Sequence, residues 1–552
     1  MIRRSPGLWK GARRFAFITS ILLVLSACSF FGDSDETSEL PLVDYAVADV
    51  DELAEGGTLT LGAEFMPSNL NPVHTEGIDT DAAKILAPAS GSAIRVLADG
   101  QWEVDKNYAK RVSVVDRNPL VIEVELEPRA VWEGGEPIRS EDMVEFVKAM
   151  QSSRYHAAPH PAFDDIESVE VESDLVYRVK FKRVNADWPT AVYPALPAEV
   201  SSSRKTFNTA FETHAVPSNG PFRVAEVSPD TSTIRLERNP DWWGDTPALD
   251  EIVWRFAESD VLSTAFEMGD IDMTPLRHLD KKKTPEDGEL RVSSSSYWSQ
   301  VTLNGGRGAL KDAKVRQAIA LALDRDAFAK DQVEYLGVSG MPLDTVVTMP
   351  GQFGHRAVGA EHDLGEAEDL LKDAGWKISK GQATKKGKPL ELVLPIPEKQ
   401  EISQRRAKLL TKQLAEIGIT VKTEVVAADT FYAKRVIPMD FDLVTFTRRG
   451  SAFNLSRSRQ WFTPLDSPEN FTGKASKAIQ KAFRSAVGEL DADDRADANE
   501  KLEGIASTQA SVLPLVVVPS AWVIREGVVN YGPTQFEQLD WTTVGWHKDS
   551  QE

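Results

Sequence analysis

Alternating strand patterns and amphipathic helices interleave along most of this chain without a strict strand–helix–strand rhythm. That mixture predicts an α/β fold built on mixed sheets. LVIEVELEP from Leu120, VYRVKFKR from Val176 and STIRLERN from Ser232 each alternate as half-buried strands do. Between and after them lie helical stripes. Hydrophobic residues make up 41% of the 552, which fits a globular chain, and the length suits two or three domains.

The elements follow from the N-terminus. Arg3, Arg4, Lys10, Arg13 and Arg14 precede the apolar stretch FAFITSILLVLSAC, residues 15–28, with no acid among them. A basic start and a short apolar run make residues 1–27 a secretory signal peptide. At about 13 residues the run is too short for a membrane span. Leu25-Ser26-Ala27-Cys28 resembles a bacterial lipobox, which implies cleavage before Cys28 and lipidation of its thiol. The expected location is the extracytoplasmic face of the cell membrane, held by acyl chains. Cys28 is the single cysteine, so an intramolecular disulfide is excluded. Loss of the five basic residues takes the formal net charge from −21 to −26. Such a surface disfavours nucleic acid and anionic headgroups. Residues 28–56 read as an extended tether, with nine acids from Asp33 to Glu55 and no Lys or Arg.

Gly56-Gly57 ends the tether, and Thr58-Leu59-Thr60-Leu61 opens a strand. Ser140-Glu141-Asp142 starts a helix with acids in its first turn. Asp312-Ala313-Lys314 leads into VRQAIALALDRDAFAK, read as one amphipathic helix. Residues 366–374 and 401–417 form two more, stopped by Gly375 and Gly418, and ITVKTEVV follows as a strand. SVLPLVVVPSAWVI, from Ser511, reads as a buried strand region interrupted by Pro514 and Pro519.

Five blocks carry a resemblance. They are Trp132-Glu133-Gly134-Gly135 through Asp142; SNGPFRVAEVSPDTSTIRLERNPDWWGD from Ser218; Leu249-Asp250-Glu251-Ile252 with AFEMGDIDM ending at Met273; Leu303-Asn304 before VRQAIALALDR; and LLKDAGW at 370–376. In this order they resemble the family 5 bacterial extracellular solute-binding proteins, the dipeptide and oligopeptide receptors of ABC importers. The resemblance implies the type 2 periplasmic-binding-protein fold: two lobes, a hinge and an extra subdomain. It places lobe I at residues 57–80, 198–297 and 510–546, the subdomain at 81–197 and lobe II at 298–509. A ligand cleft would lie between the lobes and close by hinge motion. The blocks themselves read as scaffold: a turn at Asn219-Gly220-Pro221, a helix end at Gly269, a charge pair at Asp324-Arg325.

One departure bears on the ligand. Oligopeptide-binding members carry an aspartate shortly after a Phe-Asp-Leu strand, and it pairs with the peptide ammonium. Here Phe441-Asp442-Leu443 is present, but residues 445–461 hold no acid and four arginines: Arg448, Arg449, Arg457 and Arg459. Guanidiniums repel an ammonium and suit carboxylate or phosphate. With Arg111-Val112-Ser113-Val114-Val115 and PRAVWEGGEPI, the chain is similar to an LpqW-like branch of actinobacterial lipoproteins. That likeness implies regulation of phosphatidylinositol mannoside, lipomannan and lipoarabinomannan synthesis. The partner would be a membrane mannosyltransferase or a glycolipid intermediate. The other reading is the substrate-binding subunit of an ABC peptide importer, with an ABC permease and a peptide ligand as partners. Trp298, Arg448, Arg449, Phe453 and Trp461 are the candidate cleft residues, aromatic faces for sugar rings or side chains and cations for anions. Trp242 and Trp243 read as core.

No catalytic constellation is visible, and no cofactor or metal is expected. His156 and His160 are separated by Ala-Ala-Pro, which breaks a shared helical face. There is no HExxH or GxSxG motif, and Gly305-Gly306-Arg307-Gly308 lacks the Lys-Ser/Thr of a phosphate loop.

Overall fold

The structure is a computed structural model. It describes residues 40–79, 81–276, 287–358 and 361–551. The signal peptide, Cys28 and the first part of the expected tether lie outside the described residues.

Seven strands form the main sheet of the first lobe. Their order is Gly288–Ser293, Ser520–Arg525, Met273–Pro275, Thr58–Ala63, Glu251–Phe256, Thr233–Arg238, Phe222–Ser228. Thr58–Ala63 runs parallel to Glu251–Phe256 and Met273–Pro275, and the other neighbours are antiparallel, so the sheet is mixed. Leu59 and Leu61 are fully buried, as their alternation requires. A four-stranded antiparallel sheet forms the subdomain, ordered Ala109–Arg117, Leu120–Leu126, Val176–Phe181, Ile166–Ser173. Ile122, Val179 and Phe146 of the helix Ser140–Met150 join Leu61 and Trp254 in one continuous hydrophobic cluster. The subdomain therefore shares the first lobe's core.

The second lobe centres on the antiparallel strands Leu443–Arg449, Tyr297–Leu303 and Val512–Val517, with a parallel pair Glu391–Pro397 and Thr420–Val426. Helices Leu364–Asp373 and Glu401–Glu416 pack against them, ended by Gly375 (φ 83°) and Gly418 (φ 78°) in the left-handed region. The chain crosses between lobes twice, through residues 294–296 and 518–519.

Four expectations need correction. Val512–Val517 pairs with Tyr297–Leu303, so the second lobe ends near residue 517 and not 509. Pro514 stays inside this strand at a register irregularity, and the interruption falls at Val518-Pro519. The helix expected after Asp312 is two helices, Ala313–Leu321 and Arg325–Val333. Asp324 breaks it, because its carboxylate accepts the Ala327 N–H as an N-cap. Arg325 Nε donates to Pro514 O at 3.0 Å.

The fourth correction concerns residues 40–56, which are not an extended tether. Val43 and Leu53 bridge to Thr534 and His547. Leu40 is buried with Val292 and Ala521 of the first lobe and Val333 and Leu336 of the second. Two of the segment's acids serve as acceptors: Glu52 takes the Asp49 N–H, and Asp44 Oδ2 takes the Val292 N–H at 2.6 Å while its Oδ1 lies 3.4 Å from Arg291. Like charges extend a chain only while they lack partners.

The resemblance blocks act as scaffold. Asp142 accepts from Trp132 Nε1 and from the backbone N–H groups of Arg139 and Ala198. Gly220 passes so close to Ala89 and Ser90 that a Cβ would sit 2.5 Å from backbone.

Candidate ligand cleft

A cavity of about 1440 Å³ lies between the lobes, floored by the two crossovers. Its first-lobe wall is aromatic. Trp522 stacks on Tyr531 with centroids 5.5 Å apart, Tyr531 meets Trp541 at 5.6 Å, and Lys84 Nζ stands 5.0 Å over the Trp522 ring. Phe65, just past the strand Thr58–Ala63, lines the cleft while 69% exposed. Trp242 also reaches the lining, although it packs against the core as expected. Asp105 lies in the wall too. Desolvation raises its pKa, while the Asn107 N–H that it accepts works in the other direction.

The second-lobe wall comes from the strands Tyr297–Leu303 and Leu443–Arg449 and from the helix Glu401–Glu416. In the antiparallel register Tyr297 faces Arg449, Trp298 faces Arg448 and Ser299 faces Thr447. Opposed pairs share a sheet face and alternate along the strand. Tyr297, Arg449 and Thr447 line the cleft.

That alternation sorts the candidate residues. Arg449 is in the cleft; its Nη1 lies 2.8 Å from Asp81 Oδ1 of the other wall, and its guanidinium stands 5.7 Å over the Tyr297 ring. Trp298, 1% exposed, faces away and packs on Trp461, also 1% exposed, at 5.7 Å. Arg448 stacks 4.3 Å over the Trp461 ring and 5.5 Å over Phe446. Burial pushes this guanidinium down to about 10. Trp461 Nε1 donates to Glu469 Oε2 at 2.9 Å. Phe453 is half-buried and outside the cleft lining. Trp298, Arg448 and Trp461 are therefore corrected from cleft to structural positions, and Phe453 to a half-buried position outside the lining.

The expected repulsion of an ammonium is corrected with them. Of the four arginines, only Arg449 lines the cleft, and Asp81 compensates it.

The sequence reading missed the aromatic wall of Trp522, Tyr531 and Trp541, the acids Asp81 and Asp105, and a buried cation, Arg406. Arg406 lines the cleft at 6% exposure, on the same helical face as Leu410, Gln413 and Leu414. A cation on a buried helical stripe is a signal visible in the sequence. Among the described residues no cluster of His, Cys, Asp and Glu suits a metal. His156 lies beside His74, ring centroids 5.6 Å apart, and His160 is packed edge-on against Phe163.

The sequence model for "Bacterial extracellular solute-binding proteins, family 5 Middle" matches residues 101–471. Oligopeptide-binding protein OppA of Mycobacterium tuberculosis (strain H37Rv) is 26% identical, covering 96% of this chain and 93% of its own. Oligopeptide-binding protein AppA of Bacillus subtilis is 23% identical, covering 74% and 75%. Among solved structures, a periplasmic EDTA-binding protein, EppA, superposes with a TM-score of 0.81 at 20% identity, over 93% of this chain and all of that one. Bacillus subtilis AppA in complex with a nonapeptide gives 0.69 at 18% identity, over 90% and 100%. These structures bear on the fold, which is the type 2 periplasmic-binding fold.

Proposed function

Because the chain belongs to the family 5 bacterial extracellular solute-binding proteins, we propose that it captures peptides or close analogues in the inter-lobe cleft and delivers them to an ABC permease. The observation that carries this reading is the cleft itself. Its volume, about 1440 Å³, exceeds the roughly 300–1,000 Å³ of a drug-sized pocket, and each lobe supplies one wall. A ligand touching both walls favours the closed form by its differential contacts. The likeness to oligopeptide-binding relatives over nearly the whole chain supports the ligand class. Asp105, a carboxylate in the wall, is available to an ammonium in place of the absent family aspartate.

Cys28 lipidation would hold the receptor at the extracytoplasmic face of the membrane. The alternative, regulation of glycolipid mannosylation through a membrane mannosyltransferase, called for an exposed face of Arg448, Arg449 and Trp461. Burial of Trp461 and stacking of Arg448 on it take that face away.

A deletion strain tests both parts. It is expected to lose uptake of labelled tri- to pentapeptides, with restoration by the wild-type gene and poor restoration by Cys28→Ala. Normal uptake with an altered lipoglycan profile would reverse the choice.

A further inference from the structure

Several buried arginines of this protein lie away from any carboxylate, and one of them, Arg316, is satisfied in another way. Arg316 donates to the carbonyls of Gln509, Leu310 and Lys311. Arg448, whose Nε has no partner among the described residues, stacks over Trp461 and Phe446 and does not line the cleft. Arg406 has neither arrangement. Both of its Nη atoms donate to one acceptor, Thr447 Oγ1, at 3.1 Å, and its Nε has no partner among the described residues. A guanidinium offers five N–H donors, more than one hydroxyl oxygen can satisfy. Asp331, the acid whose field reaches Arg406, pairs with Arg405 at 3.2 Å. Burial pushes Arg406 down to about 10, with the field of Asp331 opposing.

Its surroundings on the second-lobe wall are hydroxyl groups. Ser299 lies opposite Thr447 in register, so the two hydroxyls share a sheet face. The Ser299 Oγ is buried and has no partner among the described residues. Arg406 and Thr447 both line the cleft. A buried cation with free donors is costly unless a counter-charge arrives, and two planar N–H groups match a carboxylate's two oxygens.

We propose that Arg406, with Thr447 beside it, is the seat of a carboxylate of the bound solute. This rests on the peptide reading and narrows it: the ligand presents a carboxylate to the second-lobe wall, from its C-terminus or from an acidic side chain. The seat is separate from the Arg449–Asp81 pair, which is already neutral.

The test uses the full-length protein and three degenerate tetrapeptide mixtures followed by calorimetry. One has free C-termini and lacks Asp and Glu, one is amidated and lacks them, and one is amidated and contains them. Wild type is expected to bind the carboxylate-free mixture about tenfold or more weakly than a carboxylate-bearing one, as loss of a hydrogen bond to a charged group implies. Arg406→Gln is expected to bind all three alike. Arg406→Lys, which keeps charge and loses the fork, is expected to fall between. Recovery of affinity by the amidated mixture with Asp and Glu assigns the seat to a side chain; failure to recover assigns it to the C-terminus. Equal wild-type affinity for all mixtures, or full affinity in Arg406→Gln, overturns the seat while leaving peptide binding intact. If wild type binds no mixture, the peptide reading fails and glutarate still tests the seat. A rise in melting temperature in wild type and not in Arg406→Gln supports it, and equal responses overturn it. Without ligand, Arg406→Gln is expected to melt no lower than wild type, since it removes an uncompensated buried charge; a lower value would make Arg406 structural.

Discussion

A strand sends successive side chains to opposite faces, and Arg448 and Arg449 show the result for two identical groups. Arg449 faces the cleft and pairs with Asp81, both about half exposed. Arg448 faces inward onto Trp461. Exposed pairs contribute little, whereas a desolvated cation over an indole with packed methylenes contributes more. Arg449→Ala should therefore change stability by no more than about 0.5 kcal/mol. Arg448→Ala should cost roughly 1–3 kcal/mol. Urea unfolding of the two single variants checks this, and equal midpoints would refute the assignment of faces. The same parity explains the sequence reading. The strand opening at Tyr297-Trp298 and the strand ending in Arg448-Arg449 were legible as cleft walls from the resemblance, but not which member of each dipeptide faced the ligand. Cross-strand register decides that, and register is not written in either strand alone.

At the scale of elements, local chemistry was legible and distant partnership was not. The strands at Leu120, Val176 and Thr233 announce themselves by alternation, and the helices ending at Gly375 and Gly418 by their caps. Asp324 could have been read as an N-cap; its position within a continuous apolar stripe hid it. The segment 40–56 could not be read as packed, because its partners Thr534 and His547 lie nearly 500 residues away. Its acids looked unpaired only because the acceptor role belongs to the folded state. Asp44 is the anchor, holding the Val292 N–H one strand residue from the crossover. Asp44→Ala leaves that donor without its acceptor and should cost about 1–2 kcal/mol. An unchanged unfolding midpoint would mean that the segment merely lies on the surface.

At the scale of the whole molecule, two lobes, each with a main core of its own, meet across a cleft and are joined by two short crossovers and by the small cluster around Leu40. One wall is aromatic and the other bears guanidiniums, so a ligand with apolar groups and a carboxylate can contact both. The family and its hinged architecture were legible in the five ordered blocks, because they encode turns, caps and staples such as Trp132–Asp142 that set the scaffold. The ligand was not legible there, since those blocks stay out of the recognition chemistry. The most direct measurement is calorimetric titration of the ligand-stripped protein with a mixture of tri- to pentapeptides. The account predicts saturable binding at micromolar affinity or tighter, about −8 kcal/mol or more favourable. Absence of heat and of any melting-temperature shift up to millimolar peptide would contradict it.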